Sequence, residues 1–215
     1  MADESQDSGR SERARKQREE RRGQMLDAAL RVFARRGYHA TSVSDIVQEA
    51  AVARGTFYLY FRSKHELFAA LVDGLMAEMM GTIRRVDLSP DAPAPLVQLE
   101  HNVVALLSLP QARPEMLRIL LWEAAGLDEA LNRKLDSFHQ RMFALMQGSL
   151  ELGIEMGIVH PCDTRVIARS LVGSVKEVML SLLVRQDLEE IDLQHLAREL
   201  LAFCTRGILR VDLPA

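Results

Sequence analysis

Proline and glycine are scarce in this chain of 215 residues, at seven and twelve. With so few breakers, and no β-branched alternation, strands are not expected and the chain reads as all-α. Aromatic side chains make up 5% of a chain that is 48% hydrophobic, so the core must come mainly from aliphatic residues and the ten methionines. The two cysteines, Cys162 and Cys204, have no reason to be paired. No apolar run is long enough to span a bilayer, and no N-terminal apolar stretch reads as a signal peptide. The expected location is therefore cytoplasmic, with no membrane partner. A Gly-rich phosphate loop, a nucleophile elbow and a metal-ligand cluster are all missing. His160 and Cys162 form an H-x-C pair with no further ligand at suitable spacing. No catalytic residue, metal or cofactor is expected, and the chain is not read as an enzyme.

Charge is present but unevenly placed. The whole chain carries −3. Residues 10–64 hold thirteen Lys/Arg against six Asp/Glu, a net of +7, which leaves −10 for the remainder. A basic front and an acidic rear suit a protein whose front meets nucleic acid.

That basic front ends in the stretch TSVSDIVQEAAVARGTFYLYFRSKHELF, residues 41–68. Ser42 and Asp45 stand at capping-box spacing before the apolar positions Val43, Ile46, Val47 and Ala50, which share one face of a short helix. A second short helix is expected over residues 54–61, with Phe57 and Phe61 turned inward. Arg54, Thr56, Tyr58 and Tyr60 fall outside that stripe and suit phosphate and base-edge contact in a major groove. Ser63 and Glu66 repeat the capping spacing, so a third helix opens there with Lys64 in its first turn, beside free backbone N–H groups where a phosphate would sit.

These residues resemble the DNA-binding segment of the tetracycline-repressor (TetR) family. The likeness rests on Gly37-Tyr38, Thr41-Ser42, Ile46, Val52, Gly55-Thr56-Phe57-Tyr58, Tyr60-Phe61, Ser63-Lys64 and Glu66-Leu67, and covers roughly residues 24–70. Two positions depart from the family pattern: Ala51 stands where a turn Gly is common, and Ala53 where a capping Ser is common. They suggest a slightly different turn, with the outward face of the second helix intact. The resemblance implies an N-terminal three-helix helix-turn-helix domain followed by a helical ligand-binding and dimerisation domain. It implies a dimeric regulator, most simply a repressor released from a palindromic double-stranded DNA operator by a small apolar effector. The DNA contacts it implies are Ser42, Ser44, Arg54, Gly55, Thr56, Tyr58, Tyr60 and Lys64. An activator of the same fold, or a helical interaction module that no longer reads DNA, are the alternatives.

Three segments are expected: a flexible charged arm at 1–22, the reading domain at 23–68 and the body at 69–215. Residues 1–9 lack apolar periodicity and are expected to be disordered. The Arg-rich run 10–22 reads as an arm on phosphates or in a minor groove, as a solvated tail, or as an extension of the first helix. That helix is expected over 24–36, with Leu26, Ala29, Leu30 and Phe33 inside and Gly37 as its C-cap. Tyr38 reads as a packing residue rather than a phosphate contact. Further helices are expected over 63–85, 95–107, 114–125, 128–156, 163–186 and 192–209. On the last two, Ile167, Leu171, Val175, Val178 and Leu182, and then Leu193, Leu196, Leu200 and Phe203, would line a homodimer interface through about 163–209. Ser170, Gly173 and Ser174 would let a neighbouring helix approach closely. Met116, Trp122, Phe138, Met142, Phe143, Met146 and Met179 are candidates for an effector pocket, though stripes of this kind are ordinarily core. His139, in the same region, could anchor a polar group.

Overall fold

The computed structural model describes residues 3–124, 126–185 and 191–208. The fold is all-α. Helix α1 spans Asp3–Arg36, α2 Val43–Glu49, α3 Arg54–Tyr58 and α4 Lys64–Thr82. Then come α5 (Pro95–Leu107), α6 (Leu109–Ala112), α7 (Pro114–Arg118) and a π-helical turn at Ile119–Glu123. Helices α8 (Glu129–Glu155), α9 (Thr164–Leu183) and α10 (Leu193–Ile208) follow. The ends of the expected helices at Ala125, Gln186 and Leu209 lie outside the described residues.

Local chemistry sets most boundaries. Pro95 and Pro114 open α5 and α7 at a position where a missing N–H is harmless. Asp128 caps α8 by accepting from the Leu131 N–H at 2.9 Å, and Asp163 caps α9 through the N–H groups of Arg165 and Val166. Gly37, at φ +77°, ends α1. Gly157, at φ +71°, closes α8 in a Schellman turn, with Ile158 N donating to Gly153 O and Gly157 N to Ile154 O. The segment expected as one helix after Pro114 is instead α7 plus the π turn, in which Ala124 N reaches Ile119 O at 2.9 Å.

Two expectations at the front are revised. Residues 3–22 are helical and continuous with α1, so the Arg-rich run is an extension of the first helix, and helix begins at Asp3 where disorder was expected. Arg and Glu dominate the run, and Glu12/Lys16, Arg15/Glu19 and Lys16/Glu20 stand four apart, a spacing that favours a solvated helix. The inner face of α1 is also turned from the expected one. Met25, Ala28, Ala29, Val32 and Phe33 are buried, while Leu26 and Leu30 are only half-buried.

One apolar cluster runs from the front of the molecule into the body. Met25, Phe33, Ile46, Phe57, Phe61 and Phe68 fill the head, with the Phe33 and Phe68 rings edge to face at 5.0 Å. Along α4, Leu71, Val72, Leu75, Met76 and Met79 carry the same cluster on to Met116, Ile119, Leu135 and Leu182. A smaller cluster of Leu150, Val159 and Ala168 joins the far end of α8 to α9.

The stripe on α9 expected to meet a second subunit faces its own chain. Leu182 is buried in the main core, Val175 and Val178 pack on it, and Ile167 and Leu171 pack on the smaller cluster. Along the side turned to solvent run Val166, Ser170 and Gly173, and Phe203 projects from α10 at 73% exposure. Leu193, Leu196 and Leu200 pack inward.

Candidate nucleic-acid interface

The interface is built from short-range bonds that cap α2, brace it on α1 and shape its turn into α3. Ser42 Oγ accepts from Asp45 N at 3.2 Å, and Asp45 Oδ2 accepts from Ser42 N at 2.8 Å, which completes the capping box. The Ser42 hydroxyl also donates to Asp45 Oδ2 at 2.6 Å, and this bond first, then that from Ser42 N and the nearby Arg36, hold the Asp45 carboxyl below its usual range. Arg36 reaches Asp45 at 2.7 Å, while Arg31 and Arg35 clasp the two oxygens of Glu49 at 2.8 and 2.7 Å. Three cations of the basic front therefore brace α1 to α2, and Glu49 titrates below its usual range because of the two guanidiniums.

The turn between α2 and α3 keeps its left-handed residue. Ala51 has φ +53°, the sole positive φ at a non-glycine among the described residues. Val52 N donates to Val47 O at 3.0 Å and Ala51 N to Gln48 O at 3.2 Å, a Schellman arrangement with Ala51 where glycine is usual. The turn is thus of the ordinary kind with an unusual residue, which removes the main reason to think the head disabled. Ala53 caps α3 with no side-chain bond.

The eight residues expected at DNA differ in freedom. Ser42, Ser44, Arg54, Gly55 and Tyr58 are exposed. Arg54 Nη1 lies 3.4 Å from Ser44 Oγ, so one weak bond links the two short helices and leaves most of the guanidinium free. No atom lies near where a Cβ on Gly55 would stand, so another backbone can come close there. Thr56 and Tyr60 are half-buried, with Phe57 and Phe61 beneath them in the core. Lys64 is largely committed: its Nζ donates to the carbonyls of Tyr38 and Thr41, both at 2.7 Å, and lies 4.2 Å from the Tyr38 ring centre. Burial pushes its pKa down. A phosphate at Lys64 has one N–H left to use. Tyr38 packs against Phe33 and Phe68, and burial raises its hydroxyl pKa.

Contacts between head and body carry no signal in the sequence, because their partners are far apart. Tyr38 N donates to Glu123 Oε2 at 3.1 Å across 85 residues, and Glu123 belongs to the π-helical turn. His65 Nε2 meets Asp128 Oδ2 at 2.5 Å, and this bond, followed by the Leu131 N–H, holds Asp128 below its usual range. Asp73 pairs with Lys134 and Glu78 with Arg113. All four tie α4, or the loop before α2, to the body.

The candidate effector residues are spread out. Met116, Phe138 and Met179 are buried core, Met142 packs against that core, and Met146 packs on the smaller cluster. Phe143 lies beneath Arg169 at 5.3 Å, and Trp122 is 46% exposed beside Arg118. His139 is half-buried, and burial lowers its pKa. A cleft of about 340 Å³ opens between α4 and α8, lined by Asp73, Met76, Arg133, Lys134, Ser137 and Arg141. None of the candidate residues lines it.

Residues 25–71 match the sequence model of bacterial regulatory proteins, tetR family. The fatty acid metabolism regulator protein of Bacillus subtilis (strain 168) is 26% identical over 194 residues, which is 90% of this chain and 98% of that protein. The fatty acid degradation regulator FadR from Bacillus halodurans superposes with a TM-score of 0.70 at 26% identity, covering 85% of this chain and 93% of that one. The transcriptional regulator FadR from Bacillus subtilis, solved in complex with stearoyl-CoA, gives 0.68 at 25% identity, covering 86% and 98%. These similar proteins are regulators, not enzymes. No helix among the described residues is long and apolar enough to cross a membrane.

Proposed function

The chain belongs to the tetR family of bacterial regulatory proteins and is a DNA-binding transcriptional regulator, and from that premise we propose that it acts in the cytoplasm, without catalysis, as a homodimeric repressor released from a palindromic operator by an acyl-chain effector. The observation that carries the reading is α2, braced on α1 by ion pairs and followed through a tight turn by α3, with Arg54, Gly55 and Tyr58 of α3 exposed. Arg54, Gly55 and Thr56 approach base edges or the backbone, Tyr58 and Tyr60 hold phosphates, Lys64 offers its remaining N–H, and Ser42 and Ser44 support the groove-facing end of α2. Two such heads must stand about 34–36 Å apart, or a multiple of that, to read a palindrome. The solvent side of α9, with Ser170 and Gly173 and no Cβ to hold a neighbour away at Gly173, together with Phe203 on α10, suits close packing of a second copy.

The effector class is read as a fatty acyl thioester of coenzyme A. The similar protein solved with stearoyl-CoA spans nearly this whole chain, and the body offers an apolar interior rich in Met beside a cleft bearing Arg133, Lys134 and Arg141. Cations there suit phosphates. Lys134 now holds Asp73 of α4. An anion that takes Lys134 frees α4, and with it the spacing of the heads. The effector must bind the DNA-incompetent spacing more tightly, since only differential affinity shifts the balance.

Selection from random duplex DNA, followed by fluorescence anisotropy on the enriched site with long-chain acyl-CoA, free CoA and free fatty acid, tests this reading. A palindrome should emerge, and acyl-CoA should release it. Enrichment of nothing by a folded dimer refutes the operator reading; indifference to all three ligands refutes the effector class.

A further inference from the structure

We propose that the N-terminal extension of α1 and the helix α3 form a two-walled clamp for one sugar–phosphate strand of duplex DNA, with Arg18 and Arg21 as its phosphate ligands. The inference rests on the DNA-binding reading above. A cleft of about 620 Å³ separates the extension from α3, with Gln17, Arg18 and Arg21 on one wall and Thr56, Leu59 and Tyr60 on the other. The Arg18 guanidinium carbon sits 5.9 Å from the Tyr60 ring centre, which joins the two walls at one end.

Charge is segregated around the extension. At about 100° per residue, Arg18 and Arg21 share the face of Ala14 that lines the cleft, while Glu12, Glu19 and Glu20 project from the opposite side together with Lys16. No acid lines the cleft. Elsewhere in the head Arg31, Arg35 and Arg36 are spent on Glu49 and Asp45, and Lys64 on two carbonyls. Arg18 and Arg21 make no ion pair among the described residues, so they are cations without a counter-charge, aimed at a groove beside the reading helix.

Groove dimensions choose the occupant. A helix with its side chains is about 10–12 Å across and fills a major groove about 12 Å wide. With α3 in that groove, a second helix beside it lies over the bounding phosphates. The minor groove, about 6 Å wide, does not admit a helix. Arginines on a rigid helix at that place meet phosphate oxygens, not base edges.

The test uses the full chain on a duplex recovered by selection, with affinity measured from about 50 to about 200 mM salt. Arg21→Gln and Arg18→Gln/Arg21→Gln keep helix propensity, and Lys16→Gln is the charge-matched control on the far face. Each lost phosphate contact should lower the slope of log K against log salt by about 1, hence by about 2 for the single variant in a dimer and about 4 for the double. The loss should be equal on preferred and scrambled duplexes, Arg21→Lys should largely restore it, and Lys16→Gln should leave the slope in place. An unchanged slope in the double variant overturns the clamp while the wild-type slope preserves the DNA-binding reading. Equal effects of Lys16→Gln and Arg21→Gln overturn it in favour of diffuse charge, and a loss confined to the preferred duplex overturns the phosphate assignment. A wild-type protein that binds no duplex removes both readings.

Discussion

Replacing Ala51 with glycine should stabilise the protein, and a reciprocal change elsewhere in the chain measures the same physics with the opposite sign. Ala51 and Gly157 occupy the same position of the same helix-ending motif, at φ +53° and +71°. The left-handed conformation costs an L side chain roughly 1–2 kcal/mol. Glycine there gives back about 0.4–1 kcal/mol through the greater entropy of its unfolded chain. The net gain for Ala51→Gly is therefore about 0.5–1 kcal/mol. Ala51 is exposed, so no packing is lost with its methyl. A Cβ added at Gly157 meets nothing within 4 Å, so Gly157→Ala should lose a similar amount for purely conformational reasons. For a chain of this size about 2–4 °C accompanies each kcal/mol, which gives shifts of about 1–4 °C upward and downward. Thermal unfolding followed by circular dichroism at one fixed protein concentration reads both, and urea midpoints check them. The two sites lie in different parts of the fold, so the double variant should return near the wild-type value. A lowered midpoint for Ala51→Gly refutes the strain argument, and a neutral Gly157→Ala refutes the shared magnitude.

Other outcomes follow from single contacts. Gly153→Ala should destabilise by about 1–3 kcal/mol, because its Cβ would stand 2.6 Å from Val159 Cγ2; an unchanged melting curve shows that the α8–α9 turn yields freely. Asp45 and Glu49 both titrate below their usual range, so their contribution to stability is present above about pH 4 and lost as pH falls through the lowered values. Glu49→Gln should flatten that acid loss, and a wild-type curve that is level from pH 5 to about pH 3 contradicts it. Arg54→Ala should weaken binding to the selected operator far more than to random duplex, and Tyr60→Ala should weaken both alike. Equal losses for Arg54→Ala in the anisotropy assay remove its base-reading role.

What the sequence made legible is what is short-range. The capping box of Ser42 and Asp45 is a three-residue affair, and it stands as written. At Ser63 the spacing was also readable, yet Glu66 reaches one residue further back and accepts from Arg62 N rather than from the cap itself. The register of longer elements was less accessible. The stripe Ile167, Leu171, Val175, Val178, Leu182 is apolar at helical spacing whether it meets a partner or its own chain, and only the tertiary placement of α5, α6 and α8 against it decides. Lys64 shows the same limit: its position beside free N–H groups suggests an anion, while the carbonyls of Tyr38 and Thr41, brought near by the fold, take two of its protons. The helical state of residues 3–22 rests on distributed propensity and charge spacing, which also describe a solvated tail, so composition left the two open.

The apolar cluster that passes without a break from Phe33 through α4 to Leu182 limits how this protein can be recombined. A head transplanted from a similar regulator would arrive with its own complement to Phe68, Leu71 and Met76 and would have to fit Met116, Ile119 and Leu135 of this body. The seam at which a chimera can be joined is therefore a surface across the core rather than a point in the chain. It runs through both faces of α4 and includes Glu123 opposite the Tyr38 amide. New operator specificity is more readily installed by changing Arg54, Thr56 and their exposed neighbours in place than by exchanging the reading domain whole.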